Sequence, residues 1–156
     1  MSIKIVMVCL GNICRSPLAE GILASKLPEN QFVVESAGTG NWHVGSAPDK
    51  RSVSIANKYG IDISKQRAAH FTPDLFEKYD YIFVMDRSNF NNVVNLSSNS
   101  KHHEKVFYIL DSLYPDQKVE VPDPYYDDLT AFDAVFQMLD QSCSILAKKL
   151  IAKHSR

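Results

Sequence analysis

Short apolar runs alternate along the chain with stretches of helical apolar spacing, and turn signals mark most changes of period. "IKIVMV" is β-branched with one charge, Lys4, and reads as a buried strand over Ile3–Val8. A glycine-bearing turn follows, and Ser16-Pro17 predicts a helix start, with serine as cap and proline at the first helical position. Leu18, Ile22, Leu23 and Leu27 share one face of that helix. "FVVESAG" predicts a second strand, "GTGNWHVGSAP" a loop, and Asp49–Tyr59 a helix stopped by Gly60. "YDYIFVMD" predicts a third strand, with a helix from about Ser88 to Leu96 behind it. "LSSNSKHH" reads as a mobile polar surface loop and "KVFYIL" as a fourth strand. Pro115, Pro122 and Pro124 keep the next segment irregular, and Thr130 opens a long amphipathic helix to about Lys153.

Strands alternating with helices, without an internal repeat, predict an α/β domain with a small parallel sheet and right-handed crossovers. Ligands in such folds bind at the carboxyl ends of strands, near the switch in strand order. The 156 residues suit one domain spanning 1–156. Apolar residues make up 45% and charged residues 22%, so a soluble globular chain is expected, without a membrane span. A net charge of −1 gives no reason to expect nucleic acid or an anionic membrane as partner, so any phosphate affinity must be local. Three cysteines are too few and odd in number for a disulfide scaffold, and no secretory signal is recognisable at Ile3–Val8, so a cytoplasmic setting with free thiols is expected.

Chemistry concentrates in "VCLGNICRSPLAEG", Val8–Gly21. As a strand-to-helix turn, Cys9–Ser16 can point its backbone N–H groups inward, an anion nest whose field adds to that of the following helix. Gly11 lets the chain turn close to a ligand, and Asn12 tolerates a left-handed conformation. Arg15 can hold two phosphate oxygens in a planar fork. Cys9 would have its thiolate stabilised by the same dipoles and by Arg15, with Ser16 as hydrogen-bond partner, making a nucleophile for phosphoryl transfer. A cysteine ending a strand can also be a small packed residue. Zinc does not fit, since Cys9 and Cys14 have no second Cys or His pair at ligand spacing, and G-K-[ST] of a nucleotide-binding loop is absent. An aryl leaving group needs a proton, and "EVPDPYYDDL" offers Asp123 between two prolines that restrict it. Aspartate before proline is also a common turn element. Asp127 and Asp128 read as turn residues or a cap for the last helix.

With "ESAGT" and "VMD", these two motifs resemble the low-molecular-weight protein tyrosine phosphatases, in order and over essentially the whole length. The resemblance implies a three-layer, flavodoxin-like α/β/α fold with a four-stranded parallel sheet. It implies hydrolysis of phosphotyrosine in proteins through a phosphocysteine at Cys9, with Arg15 and the amides of Leu10, Gly11, Asn12, Ile13, Cys14 and Ser16 on the phosphate. Asp123 would be first acid and then base. Asn12 and Ser36 would brace the loop, and Asp86 would support it. No metal or organic cofactor is implied, and a monomer with at most weak self-association is expected.

Trp42, Tyr125 and Tyr126 are the expected aromatic walls of a slot deep enough for phosphotyrosine and too deep for phosphoserine. Ile13 favours phosphotyrosine over phosphoarginine, because related arginine phosphatases carry threonine there. Arsenate reductases of this fold use mid-chain cysteines, and none lies between Cys14 and Cys143. A phosphate-binding module without turnover is the reading from another class, and intact Cys9, Arg15 and Asp123 oppose it. Cys14 reads either as packing or, as in relatives, as a resolving thiol for oxidised Cys9; Cys143 reads as core. Gln66 stands where the family often has histidine, which puts loop support from that position in doubt; His70 is the candidate to replace it, and a surface histidine is the preferred reading.

Overall fold

The computed structural model describes residues 2–155. Four strands, β1 (Ile3–Cys9), β2 (Phe32–Gly38), β3 (Tyr81–Val84) and β4 (Val106–Tyr108), form one parallel sheet in the order β2-β1-β3-β4. The order reverses at β1, which pairs with β2 on one edge and β3 on the other. The turn after Cys9 therefore lies at the switch point, where flanking loops diverge and leave a crevice.

Period-two alternation on β1 sorts the core. Ile5, Met7 and Cys9 face one layer, with Leu18, Ile22 and Leu23 of α1 (Arg15–Ala24) and Phe132, Phe136 and Leu139 of the closing helix. Val6 and Val8 face the other, with Phe71, Phe76, Ile82 and Val93. On the first side lie α1, α2 (Lys50–Lys58) and α6 (Leu129–Lys153); on the second lie α3 (Leu75–Lys78) and α4 (Arg87–Val94). Burial of each large side chain contributes about 1.5–3 kcal/mol, so both layers hold β1 from either face.

Carboxylates set the helix starts that matter. Asp49 accepts the Arg51 N–H, Asp86 that of Asn89, and Asp128 that of Ala131. Gly60, at φ +80°, ends α2. Two expectations change. "LSSNSKHH" is not a plain loop: Asn99 accepts the Lys101 N–H and opens α5, Ser100–His103, a turn of helix that polar composition concealed. "KVFYIL" keeps only three strand residues before a 3₁₀ turn at Ile109–Ser112. No helix among the described residues is long and apolar enough to cross a membrane.

Candidate active site

The chain between β1 and α1 folds into a cup. Its carbonyls turn outward: Cys9 O accepts the Thr39 N–H, Leu10 O that of Gly40, Ile13 O that of Asp49, and Cys14 O the Ser52 hydroxyl. Among the described residues, none of the backbone N–H groups of Leu10–Cys14 donates to another protein group. A row of partial positive charges is thereby left without a protein partner, an arrangement that favours an anion. Asn12 makes the reversal at φ +57°, the left-handed conformation its residue type predicts. Gly38 lets β2 come close enough to grip the cup, since a Cβ there would lie 2.8 Å from Leu10 O and 3.1 Å from the Gly11 carbonyl carbon.

Cys9, 3% exposed, ends β1 at this cup. Its Sγ lies 3.0 Å from Ser16 Oγ, and Asn12 Nδ2 donates to that same oxygen at 2.8 Å. With its oxygen already accepting, the serine hydroxyl has its proton free for sulfur. Asn12 Oδ1 accepts the Ala69 N–H at 2.9 Å, which fixes the amide. Ser16 is thus not the cap of α1. That helix begins at Arg15 after Cys14, without a side-chain cap, because the hydroxyl is committed to the cysteine.

Arg15, 2% exposed, donates through Nη1 to Asp86 Oδ2 (2.7 Å) and to the Val121 carbonyl (2.9 Å). Burial works against its charge, but the Cys9 sulfur and Asp86 outweigh it and raise its pKa. Asp86 splits its oxygens, one on Arg15 and the other capping α4. Asp86 is expected to support the cup, and the contact it makes there is with the Arg15 side chain. Arg15 Nη2 faces Asp123 Oδ2 at 3.7 Å. Asp123 is half-exposed, and its Oδ1 accepts the Tyr125 N–H at 3.1 Å.

Cys9, Arg15 and Asp123 line a cavity of about 380 Å³ together with Leu10, Gly11, Ile13, Cys14, Trp42, His43, Tyr125 and Tyr126. Trp42 is 63% exposed and packs on His43, and Tyr126, 94% exposed, stands edge-on to Tyr125 with ring centroids 5.0 Å apart. The rim is therefore aromatic and open while the floor is polar and buried. Cys14 is buried at 5% exposure, and burial, aided by Asp49, Cys9 and Asp123, pushes its thiol pKa up. Cys143 is fully buried in the core. Among the described residues no cluster of three His, Cys, Asp or Glu could hold a metal.

Two further expectations fail. Ser36 does not brace the cup: its hydroxyl donates to Glu20 on α1 at 2.6 Å. His70 is not a plain surface residue, because it is half-buried and its Nδ1 pairs with the Gly40 carbonyl. Gln66 donates to the Pro17 carbonyl, while the Ala69 N–H supplies the grip on Asn12. Sequence reasoning missed His43, Arg51 and the Val121 carbonyl. The first two stand one and nine positions beyond Trp42 without a motif around them, and a carbonyl has no sequence signal.

A family model described as low molecular weight phosphotyrosine protein phosphatase matches residues 4–156. The chain belongs to that family. It is 36% identical over 152 residues to the low molecular weight protein-tyrosine-phosphatase PtpA of Staphylococcus epidermidis, covering 96% of this chain and 94% of that protein. A protein tyrosine phosphatase from Entamoeba histolytica, solved with Hepes in the active site, superposes with a TM-score of 0.90 at 31% identity, covering 97% of this chain and 99% of that one. Vibrio vulnificus Wzb, solved in complex with benzylphosphonate, superposes at 0.86 with 28% identity, covering 96% and 99%. The expected family and the flavodoxin-like parallel sheet both hold, as does membership of a cysteine-dependent hydrolase family.

Proposed function

We propose that this phosphatase hydrolyses phosphotyrosine in proteins through a phosphocysteine on Cys9. One observation carries the reading: the Cys9 sulfur lies at the floor of a cup whose N–H groups have no protein partner, with Arg15 and Asp123 across the same cavity. The benzylphosphonate in complex with Wzb joins a phosphonate to an aromatic ring, a pairing that suits a phosphate cup below aromatic walls.

In this reading the cup and Arg15 bind the phosphoryl oxygens and stabilise the charge they share in the transition state. The Cys9 thiolate, turned toward phosphorus by Ser16, attacks in line; the S–P bond forms as the aryl O–P bond breaks. The Asp123 carboxyl gives its proton to the departing phenolate, and the resulting carboxylate takes one from water. Water attacks phosphorus, the S–P bond breaks, and thiolate and inorganic phosphate are released. Trp42, Tyr125 and Tyr126 flank the aryl ring, which spans the distance from rim to sulfur that phosphoserine cannot. No step calls for a metal or organic cofactor, and a monomer supplies every group.

We place the enzyme in the cytoplasm, where its free cysteines Cys9, Cys14 and Cys143 stay reduced. Cys14, in the same cup, is the resolving thiol: with Cys9 oxidised to the sulfenic acid by peroxide, it forms a disulfide with release of water. Peroxide-treated wild type then recovers activity on reduction, and Cys14→Ser, whose sulfenic acid lies open to irreversible oxidation to the sulfinic acid, recovers less.

Hydrolysis of para-nitrophenyl phosphate by wild type, Cys9→Ser and Asp123→Ala tests the mechanism. Cys9→Ser has no detectable turnover, and Asp123→Ala loses about 10²–10⁴ in rate. Full activity in Cys9→Ser overturns the reading. For substrate class, kcat/KM on phosphotyrosine, phosphoserine and phosphoarginine peptides decides, and equal values remove the aromatic slot.

A further inference from the structure

We propose that Arg51 is a positioning residue that locks the acid-bearing segment 122–128 over the phosphate cup, a role that rests on Asp123 being the proton donor. Arg51 lies in the first turn of α2, outside the motifs that define the site. Its guanidinium grips Asp49 with a fork, Nε on Oδ1 at 3.0 Å and Nη2 on Oδ2 at 2.9 Å. The same group donates to two carbonyls of the acid segment, Nη2 to Tyr125 O (2.8 Å) and Nη1 to Asp127 O (2.9 Å). It stacks over Phe132, 4.4 Å from the ring centroid, at the start of α6. The Arg51 fork holds the Asp49 carboxyl below its ordinary pKa, so the pair is ionised through the neutral range.

Both ends of this clamp reach the chemistry. Asp49 donates its N–H to Ile13 O at 2.7 Å, and Ser52, next in the helix, donates to Cys14 O, so α2 is fastened to the cup. On the other side, Arg51 holds Tyr125, whose N–H aims the Asp123 carboxyl. The cup and the proton donor come from chain segments more than a hundred residues apart, and this guanidinium bridges them. Lysine cannot reproduce it, because one ammonium cannot fork Asp49 and reach both carbonyls.

A misplaced donor matters most where the leaving group needs the proton. Arg51→Ala therefore lowers kcat/KM for phenyl phosphate roughly tenfold, a part of what a general acid contributes. For 2,4-dinitrophenyl phosphate, whose phenolate departs unaided, the loss stays below about threefold. In an Asp123→Ala background the same substitution costs less than about twofold on phenyl phosphate, because the groups act as a unit. Arg51→Lys keeps charge and stem and shows the same leaving-group selectivity at smaller size, which preserves the test where the alanine variant does not fold. Equal losses on both substrates, or losses additive with Asp123→Ala, overturn the proposal. A failure of the catalytic reading itself looks different: Cys9→Ser then keeps its turnover, whatever Arg51 does.

Discussion

Removing Asp86 tests how the buried Arg15 is held. The pair is short, 2.7 Å, with the arginine side chain 3% exposed and the aspartate 20%. Breaking a buried pair from one side costs about 3–5 kcal/mol, because the other charge stays buried. Arg15 keeps the Val121 carbonyl and the more distant Asp123, so the low end of that range applies. Asp86 also caps α4 through Asn89, which adds about 1 kcal/mol. Asp86→Ala should therefore lower unfolding free energy by about 4 kcal/mol in urea titration at neutral pH. Asp86→Asn is the informative companion. An amide has one oxygen for two donors, so it can serve the cap or Arg15 but not both, and its NH₂ then faces a donor. It should cost about 2 kcal/mol, between wild type and alanine. The free guanidinium should also weaken phosphate as a competitive inhibitor in both variants. An Asp86→Ala protein within about 1 kcal/mol of wild type, or an asparagine variant as damaged as the alanine one, refutes the reasoning.

Glu20 should make stability depend on pH. Burial raises its pKa from 4.5 to about 7, against the Ser36 hydrogen bond that lowers it and with the Glu35 charge adding to it. A carboxyl that holds its proton longer in the folded state loses stability as pH rises from about 4.5 to about 7, about 3 kcal/mol at most. Glu20→Gln, which still accepts from Ser36, should match wild type near pH 4.5 and exceed it at pH 8; equal stability at both ends contradicts this. Gly38→Ala forces its Cβ against the Leu10 carbonyl at 2.8 Å, so the cup must shift. About 1–3 kcal/mol of stability should be lost, with weaker phosphate inhibition, and an unchanged inhibition constant would count against that coupling.

Most of the fold was legible because period and turn chemistry agree. "FVVESAG" maps onto β2 residue for residue, and Gly60 ends α2 where a left-handed stop was due. The residues of the cup were legible because Cys9, Asn12, Arg15 and Ser16 each have few reasons to stand together so close to a strand end. Ser16 misled because serine before proline is a cap by local rules, whereas a tertiary partner, the Cys9 sulfur, took the hydroxyl. Ser36 misled because its bracing role rested on the family resemblance alone, and strand alternation, which gives a face and no partner, could not reveal that its hydroxyl goes to Glu20. Arg51 was illegible for a related reason: its four hydrogen bonds join Asp49 to carbonyls of Tyr125 and Asp127, and no periodicity encodes a contact to a main-chain oxygen so far along the chain.

The central claim is that a phosphoryl group resides on one sulfur during turnover, and rapid acid quench tests it most directly. Wild type and Asp123→Asn mixed with an aryl phosphate, quenched within the first turnovers and digested, should yield a single peptide, the one containing Cys9, carrying one phosphoryl group. A phosphorylated peptide lacking Cys9, or steady turnover with no phosphoenzyme at any quench time, would contradict the account.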